Sequence, residues 1–169
     1  DESEVRLPSP ACILGRGSYG AVTAALFHGR AVAVKTLHHG AEDSRQMKAL
    51  LNELRVLRHI RHPSVVLFFG ALVDHRHDTV ALVYELINGM QLDVLVAHAK
   101  PSPADRFRIL LDISTALLYL HTQKPQIVHR DLKGGNVMVS NVDGGSRARL
   151  IDFGLSRFTS KKLHQGGGT

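Results

Sequence analysis

The spacing of apolar residues predicts a change from strands to a helix near residue 40. Val and Ala dominate 21–27 and 31–36, on either side of His28-Gly29-Arg30, which is typical of two strands joined by a turn. Within 41–60, apolar residues recur every third or fourth position, so we expect a helix with one apolar face. The helix is expected to end at His62-Pro63, because proline disfavours a helical residue before it.

The middle of the chain predicts an antiparallel pair followed by a long helix. Apolar runs at 65–72 and 79–86 flank a polar tip, as in a hairpin. Ser102-Pro103-Ala104-Asp105 combines a cap, a first-turn proline and an acid, so we expect a helix over 103–122. One side of that helix is expected to carry Phe107, Leu110, Leu111, Ser114, Leu117, Leu118 and His121.

The last third of the chain predicts a short hairpin and then irregular structure. Strands are expected at 137–140 and 148–151, with Asp143-Gly144-Gly145 as the turn between them. Residues 155–169 show no periodicity and include three consecutive glycines, so they are expected to form a mobile loop.

Composition and charge limit the class of protein. The 169 residues, 44% of them hydrophobic, suffice for one domain or two small lobes. Cys12 is the single cysteine, is expected to be a small core residue, and favours a reducing, cytoplasmic location. The net charge of +6 is scattered, so no nucleic-acid partner is predicted. No apolar run is long enough to span a bilayer.

The histidine clusters and the start of the chain do not indicate a functional site. Neither His38-His39 nor His75-Arg76-His77 has acidic or cysteine partners at ligand spacing, so no zinc site is predicted. The chain has no initiator methionine and no charged-then-apolar leader, so it is expected to begin as a fragment.

Five short motifs in a fixed order carry the candidate chemistry. They are Gly15-Arg16-Gly17-Ser18-Tyr19-Gly20-Ala21-Val22, Val32-Ala33-Val34-Lys35, Glu53 in the apolar-periodic stretch, His129-Arg130-Asp131-Leu132-Lys133-Gly134-Gly135-Asn136, and Asp152-Phe153-Gly154. The glycine-rich turn lies between two strands, which argues against a dinucleotide-binding fingerprint, whose glycines open a helix. Glycines allow a backbone to approach phosphates closely. A charge such as Lys35 at the end of an apolar strand must be paired or face a cleft.

Together these motifs resemble the eukaryotic protein-kinase family, and the resemblance covers nearly all of the chain. It implies a bilobal α+β fold, with an antiparallel β N-lobe that has one helix and a mainly helical C-lobe. Residues 1–10 are then expected to lead into the domain, 11–87 to form the N-lobe and 88–169 to form part of the C-lobe. Because no Ala-Pro-Glu precedes the end at Thr169, the C-lobe is expected to be truncated in the activation loop, with apolar faces of the 103–122 helix uncovered.

The resemblance also assigns catalytic roles. Asp131 is expected to orient the acceptor hydroxyl and take its proton, and Lys133 to neutralise charge on the moving phosphoryl group. Lys35 is expected to hold the α- and β-phosphates, paired with Glu53, which is favoured over Glu42 because it lies eight residues before Arg61-His62-Pro63.

The resemblance also assigns the ligands of Mg²⁺ and the packing of Phe153. Asn136 and Asp152 are expected to bind Mg²⁺, since hard cations prefer oxygen ligands. Phe153 is expected to pack against the helix that carries Glu53, near Leu57, Phe68 and His129.

The adenine of ATP is expected to lie between the lobes, where Tyr84 takes the gatekeeper position. Backbone groups of Glu85 and Ile87 are expected to bond the base, with Ala33 above the ring and Met138 below it. The full set that the resemblance assigns to ATP is Leu14, Gly15, Gly17, Ser18, Tyr19, Gly20, Val22, Ala33, Lys35, Tyr84, Glu85, Ile87 and Met138.

The acceptor preference is interpreted from the catalytic motif. Lys133, two residues after Asp131, is similar to serine/threonine kinases. Gly134, in place of the usual proline, and the sequence at 66–71 resemble the tyrosine-kinase-like group, with its Raf and mixed-lineage branches. Protein substrates with Ser or Thr acceptors are expected, and dual specificity stays open. The alternative is an ATP-binding or interaction module that performs no transfer in this truncated form.

Regulation is expected in the activation loop. Phosphorylation at Thr159 or Ser160, by an upstream kinase or by another copy, is expected because Arg130 is a cation beside the catalytic acid and no acid lies between Leu155 and Thr169. The Thr169 hydroxyl is expected to meet Asp131 and Lys133.

Overall fold

The computed structural model describes residues 5–6, 12–17, 20–36, 44–74, 79–142 and 144–159. Within these ranges it contains strands in antiparallel sheets and three helices, which agrees with the expected α+β class. In chain order they are β1 (Val5–Arg6), β2 (Ile13–Gly17), β3 (Gly20–Phe27), β4 (Arg30–Thr36), α1 (Ser44–Leu57), β5 (Phe68–Asp74), β6 (Thr79–Glu85), β7 (Gly89–Gln91), α2 (Leu92–His98), α3 (Pro103–Thr122), β8 (Gln126–Val128), a 3₁₀ turn (Gly134–Asn136), β9 (Val137–Val142), β10 (Gly145–Leu150) and β11 (Arg157–Thr159).

The N-terminal half forms an antiparallel sheet with strand order β1-β3-β4-β6-β5, in which β2 also pairs with β3. The predicted strands and turns are present: His28 and Gly29 have φ of 47° and 78° and make the tight turn between β3 and β4. The segment expected only to lead into the domain contributes to this sheet, because Val5 pairs with Phe27 at its edge.

Cys12 is exposed, so its prediction as a core residue is wrong. Its carbonyl accepts a hydrogen bond from Ala24 N at 2.8 Å, which ties the backbone to the sheet but leaves the side chain outside the core.

Helix α1 ends at Leu57, before the predicted stop at His62-Pro63. The reason is a tighter turn: His59 N and Ile60 N donate to carbonyls only three residues back, at 3.1 Å each. The stretch predicted to open strand 65–72 then pairs elsewhere, since Val66 N donates to Leu150 O and Leu150 N donates to Ser64 O, each at 2.9 Å. Strand β5 therefore begins only at Phe68.

The C-terminal half contains elements that the sequence predicts and several that it does not. Helix α3 covers the predicted span, and Asp105 N donates to the Ser102 hydroxyl at 3.1 Å, as in an N-cap. The predicted hairpin is present as β9 and β10. The small elements β7, α2, β8 and β11 were not predicted. The expectation of a loop from 155 onwards is wrong at β11, which gains its hydrogen bonds by pairing antiparallel with β8.

Helix α3 turns a different face to the core from the one that carries most of its large apolar residues. Ile109, Ala116 and Leu120 are buried, at helical spacings of seven and four residues. Phe107 and Leu118, on the predicted apolar side, are 67% and 64% exposed. The expectation that an apolar face of this helix is uncovered is therefore met.

One buried cluster runs through both halves of the chain. It contains Leu50 and Leu57 of α1, Leu120 of α3 and Phe153, together with residues from β5, β6, β9 and β10. A smaller cluster around Val32 lies on the other face of the first sheet. Among the described helices, none is long and apolar enough to cross a membrane.

Candidate active site

Two carboxylates from distant parts of the chain bind the ammonium group of one lysine. Lys35 on β4 donates to Glu53 Oε2 on α1 at 2.7 Å and to Asp152 Oδ1, just after β10, at 3.0 Å. Glu53 is 1% exposed, so its charge requires a partner close by. The expected pair of Lys35 with Glu53 is present, and Asp152 joins it.

The two carboxylates keep Lys35 charged. Burial by itself favours the neutral amine, but the attraction of Glu53 and then Asp152 outweighs it and raises the pKa of Lys35 above its ordinary value. The side chain of Lys35 is 15% exposed and that of Asp152 is 32% exposed, so both remain within reach of a ligand.

Tyr84, which the resemblance assigns to the gatekeeper position, contacts the charged cluster through its hydroxyl. It donates to Glu53 Oε1 at 2.8 Å, and the side chain is 6% exposed. The ring packs against Phe68, with centroids 5.7 Å apart. Burial, together with the neighbouring Glu53 charge, raises the pKa of Tyr84 well above its ordinary value, so the phenol stays protonated and donates.

A second cluster surrounds Asp131. Its Oδ2 accepts hydrogen bonds from Lys133 Nζ and Asn136 Nδ2, each at 2.8 Å. The same amide nitrogen also donates to the Asp131 carbonyl at 2.8 Å. The hydrogen bond from Lys133 is the main cause that lowers the pKa of Asp131, and the bond from Asn136 adds to it. Asp131 is therefore ionised at neutral pH.

His129 makes hydrogen bonds to the backbone next to each of the two clusters. Its Nε2 lies 3.1 Å from the Ile151 carbonyl, so this nitrogen carries the proton, and Nδ1 accepts from Asp131 N at 3.4 Å. Burial lowers the pKa of His129, which favours this neutral tautomer. The ring lies 4.7 Å from the Phe153 ring, as expected, and Phe153 is fully buried.

The backbone is left-handed at two of the site residues. Arg130 has a φ of 69° and Asp152 a φ of 61°, a conformation that costs a residue with a side chain about 1–2 kcal/mol. The bonds of His129 to Ile151 O and Asp131 N bridge these two strained positions. Such strain persists where the surrounding contacts hold it in place, which is typical of functional sites.

Asn52 is a site-forming residue that the sequence analysis missed. Its amide donates to Ser156 O at 2.7 Å and Gly154 O at 3.1 Å, which ties α1 to the segment after Asp152. The only signal in the sequence is a polar residue beside Glu53 on a largely apolar helix face, and this signal is weak because such residues are common on helices.

The glycine-rich turn is a hairpin of β2 and β3. Gly15 pairs with Val22 and Gly17 with Gly20, which has a φ of 143° that only glycine adopts readily. No atom outside its immediate neighbours lies within 4 Å of a side chain placed at Gly15, so the hairpin leaves space over that residue. Leu14 is exposed at its base. Ser18 and Tyr19 lie outside the described residues.

At the expected hinge, the backbone N–H of Glu85 is already used, because it donates to Leu67 O at 2.9 Å. Any backbone hydrogen bond between Glu85 and adenine must therefore be made by the Glu85 carbonyl. The Glu85 carboxylate accepts from Leu67 N at 2.8 Å and lies 3.4 Å from Arg149 Nε. Ile87 is half-buried beside this junction.

The two residues expected to enclose the base lie on different sheets. Ala33 is on β4, opposite Tyr84 of β6. Met138 is on β9, where it pairs with Gln91 of β7 and Arg149 of β10. Both side chains are half-buried.

The donor chemistry of Asn136 and Asp152 fits a hard divalent cation. The amide nitrogen of Asn136 is used by Asp131, which leaves its oxygen as the ligand atom, and Asp152 supplies a carboxylate. Within the described ranges, no group of three or more His, Cys, Asp or Glu residues could hold a metal alone.

Some expectations concern residues outside the described ranges. They are the histidine clusters at 38–39 and 75–77, the site at Ser160, and the contact of Thr169 with Asp131 and Lys133. Thr159 is described, lies in β11 and donates its hydroxyl to the Gln126 side chain at 3.1 Å.

Comparison with known proteins finds a family model and several relatives that match most of this chain. The model of the protein kinase domain family matches residues 10–168. U-box domain-containing protein 52 of Arabidopsis thaliana is 39% identical over 153 residues, which are 88% of this chain and 17% of that protein. A probable serine/threonine-protein kinase of Dictyostelium discoideum is 36% identical, over 88% of this chain and 28% of that protein. Serine/threonine-protein kinase CTR1 of Arabidopsis thaliana is 33% identical, over 85% of this chain and 17% of that protein. The chain thus spans less than a third of the length of these relatives.

Proposed function

Because this chain belongs to the protein kinase domain family, we propose that it transfers the γ-phosphate of ATP to serine and threonine hydroxyls of proteins. The observation that carries the proposal is the bonding of one ammonium group, on Lys35, to both Glu53 and Asp152. Lys35 lies on β4, Glu53 on α1 and Asp152 after β10, so the fold brings them together from distant parts of the chain. Burying such charges costs desolvation energy, and clusters of this kind are typical of functional sites.

Lys35 binds the α- and β-phosphates of ATP in this proposal. Its raised pKa means that it presents a full positive charge at neutral pH. Glu53 fixes the direction of the ammonium group, and the space over Gly15 in the hairpin lets backbone N–H groups approach the phosphates. Val22, which pairs with Lys35 across β3 and β4, is at the right register to cover the nucleotide.

Asp131 orients the acceptor. As an ionised carboxylate it accepts a hydrogen bond from the acceptor hydroxyl and then the proton, as the hydroxyl oxygen bonds to the γ-phosphorus. The bond from that phosphorus to the bridging oxygen of ADP breaks in the same displacement. Lys133, bonded to Asp131, is near enough to compensate charge on the transferred group.

Asn136 and Asp152 are the residues of this chain that would hold Mg²⁺. When bound, Mg²⁺ neutralises charge on the ATP phosphates. Asp152 also bonds Lys35, so the same carboxylate helps to position the cation that contacts the phosphates. The amide nitrogen of Asn136 holds the Asp131 carboxylate in place, so this residue connects the metal side of the site to the acceptor side.

We further propose that phosphorylation after Asp152, by an upstream kinase or another copy, activates the enzyme, and that it works in the cytoplasm. Arg130 supports this proposal, because it is exposed, adjoins Asp131, and forms no ion pair with any residue in the described ranges. A phosphate on Thr159 or Ser160 is a suitable partner for this guanidinium.

The test is transfer of labelled γ-phosphate from ATP to arrays of peptides with one Ser, Thr or Tyr acceptor, using the full-length protein with Mg²⁺. We expect labelling of Ser and Thr peptides. Asp131→Asn is expected to lower the rate roughly 10²–10⁴-fold with ATP affinity retained, since Asp131 acts on the acceptor.

Asp105→Asn, at the start of α3, is the matched control and is expected to leave the rate unchanged, because asparagine can still accept from Ser146 N. Dominant labelling of tyrosine peptides overturns the Ser/Thr assignment. ATP binding without any transfer identifies a binding module instead.

A further inference from the structure

The Tyr84 hydroxyl makes a hydrogen bond that the proposed reaction does not use. It donates to Glu53 Oε1 at 2.8 Å, whereas Lys35 donates to the other oxygen, Oε2, at 2.7 Å. The Phe153 N–H is the third group at this carboxylate and lies at a longer 3.4 Å from Oε1. The carboxylate is thus held at both of its oxygens, which fixes the rotation of its plane.

The sheet places Tyr84 and Lys35 on one face. Ala33 of β4 pairs with Tyr84 of β6, and Lys35 pairs with Leu82, so side chains two residues apart along each strand point the same way. Phe68 packs against the tyrosine ring and restricts its movement. Both polar groups therefore reach α1 from a rigid part of the sheet.

We propose that Tyr84 is a positioning residue, whose hydroxyl holds the Glu53 carboxylate, and through it Lys35, in the arrangement that receives ATP. This inference rests on the proposed function and deepens it. It also gives Tyr84 a second role beside the adenine contact implied by its gatekeeper position.

The role follows from which bonds a ligand can reach. Lys35 and Asp152 are partly exposed, so incoming phosphates and cations compete for their mutual contact. Glu53 and Tyr84 are both buried, so no ligand competes for the bond between them. When phosphates and cations compete with Asp152 for Lys35, the tyrosine bond keeps Glu53 in the position from which it directs the ammonium group. The buried carboxylate thus keeps a partner that no ligand removes, which avoids the cost of an unpaired group.

The experiment is a double-mutant cycle on the full-length protein with Tyr84→Phe and Glu53→Ala. Tyr84→Phe removes the hydroxyl and keeps the ring. We expect kcat/KM for ATP to fall about tenfold, the factor that corresponds to one hydrogen bond to a charged group, with KM for the acceptor peptide unchanged within about twofold. ATP affinity, measured by calorimetry with Mg²⁺, is expected to fall in parallel, because fewer molecules have Lys35 in place. In the Glu53→Ala background, Tyr84→Phe is expected to add less than about twofold.

Tyr119→Phe is the matched control. It also removes a hydrogen-bonded tyrosine hydroxyl, but this hydroxyl accepts from Arg61 N at 3.0 Å and makes no bond to Glu53. It is expected to leave both constants unchanged. The inference is overturned if Tyr84→Phe has no effect, if Tyr119→Phe has the same effect, or if the loss persists without Glu53. A wild-type protein that transfers no phosphate overturns the proposed function, and the calorimetric cycle then still decides the role of Tyr84.

Discussion

At the scale of single residues, the site is a set of charges that hold one another in place. Lys35 lies between two carboxylates, and Lys133 and Asn136 both donate to the same oxygen of the Asp131 carboxylate. The two carboxylates raise the pKa of Lys35, and the hydrogen bonds from Lys133 and Asn136 lower the pKa of Asp131, so Lys35 and Asp131 are both charged at neutral pH. Removal of the Lys35 charge leaves the buried Glu53 carboxylate without its cation.

Lys35→Met is the sharpest test of this arrangement. It leaves Glu53 and Asp152 without their cation, so we expect ATP affinity to collapse and transfer to fall by at least about 10²-fold. The measurement is calorimetry with ATP and Mg²⁺ beside a transfer assay. Lys48→Met is the matched control, because Lys48 is an exposed residue of α1 and is expected to tolerate the change. Equal ATP affinity in Lys35→Met and wild type would contradict the role of Lys35.

At the scale of elements, helix α1 is fastened to the segment that follows Asp152. Asn52 bonds the carbonyls of Gly154 and Ser156, and Phe158 of β11 packs under the Arg55 guanidinium at 5.2 Å. The opposite edge of β11 pairs with β8. A shift of α1, which carries Glu53, therefore disturbs the segment 153–159, and a change in that segment disturbs Glu53.

Asn52→Ala is expected to weaken this connection. It leaves two carbonyls without their donor, which costs about 1–3 kcal/mol in free energy of unfolding. Hydrogen exchange at 154–159 should become faster, and chemical denaturation should report the lost stability. Asn141→Ala, at an exposed position of β9, serves as the control and should change neither. Unaltered exchange in Asn52→Ala would mean that the contacts of the segment with β8 and Arg55 are enough to hold it.

Helix α3 offers a comparison of one residue type on two faces. Leu120 is fully buried and Leu118 is 64% exposed. Leu120→Ala is expected to lower the free energy of unfolding by about 2–5 kcal/mol, because it removes buried methyl groups and leaves a cavity. Leu118→Ala should change it by less than about 0.5 kcal/mol. Denaturant titration of both variants decides the matter, and similar losses would mean that the exposed side of α3 is covered in solution.

At the scale of the whole molecule, one buried and one half-buried imidazole connect stability to pH. Burial lowers the pKa of His129, which lies between the two halves of the site, and the pKa of His62, whose ring packs against Tyr119. Below the ordinary value of 6.5, the unfolded chain binds protons at these positions that the folded chain does not. Stability therefore falls as the pH drops from 6.5 towards the lowered folded values.

The free energy of unfolding is thus expected to decrease between pH 7 and pH 5. His129→Gln, which retains a donor for Ile151 O, should flatten this dependence, because it removes one of the titrating groups. His121→Gln, at an exposed position of α3, should leave the slope as it is. Denaturation curves at several pH values give the slopes, and an equally steep fall in His129→Gln would exclude His129 as a source.

The sequence by itself determined the features that depend on local chemistry. The Ser102-Pro103 start of α3 follows from capping, and the turn at His28-Gly29 from a residue that tolerates positive φ. Strands β3 and β4 follow from their Val and Ala content, and most of α1 from the period of its apolar residues. The candidate catalytic motifs were also proposed from sequence, because short stretches such as 129–136 carry their residue types at fixed spacing. Each of these signals lies within a few residues, where the covalent geometry of the backbone determines which side chains lie close together.

Only the tertiary structure decided which distant groups meet. Strands β8 and β11 have three residues each, too few to show a period, and they form because each supplies the other's hydrogen bonds. The core face of α3 was set by the strands beside it, so its richest apolar side stayed exposed. The bond from Tyr84 to Glu53 needs a sheet and a helix packed together, 31 residues apart in the chain. Local sequence does not encode such a contact, since packing of whole elements fixes the distance between their side chains.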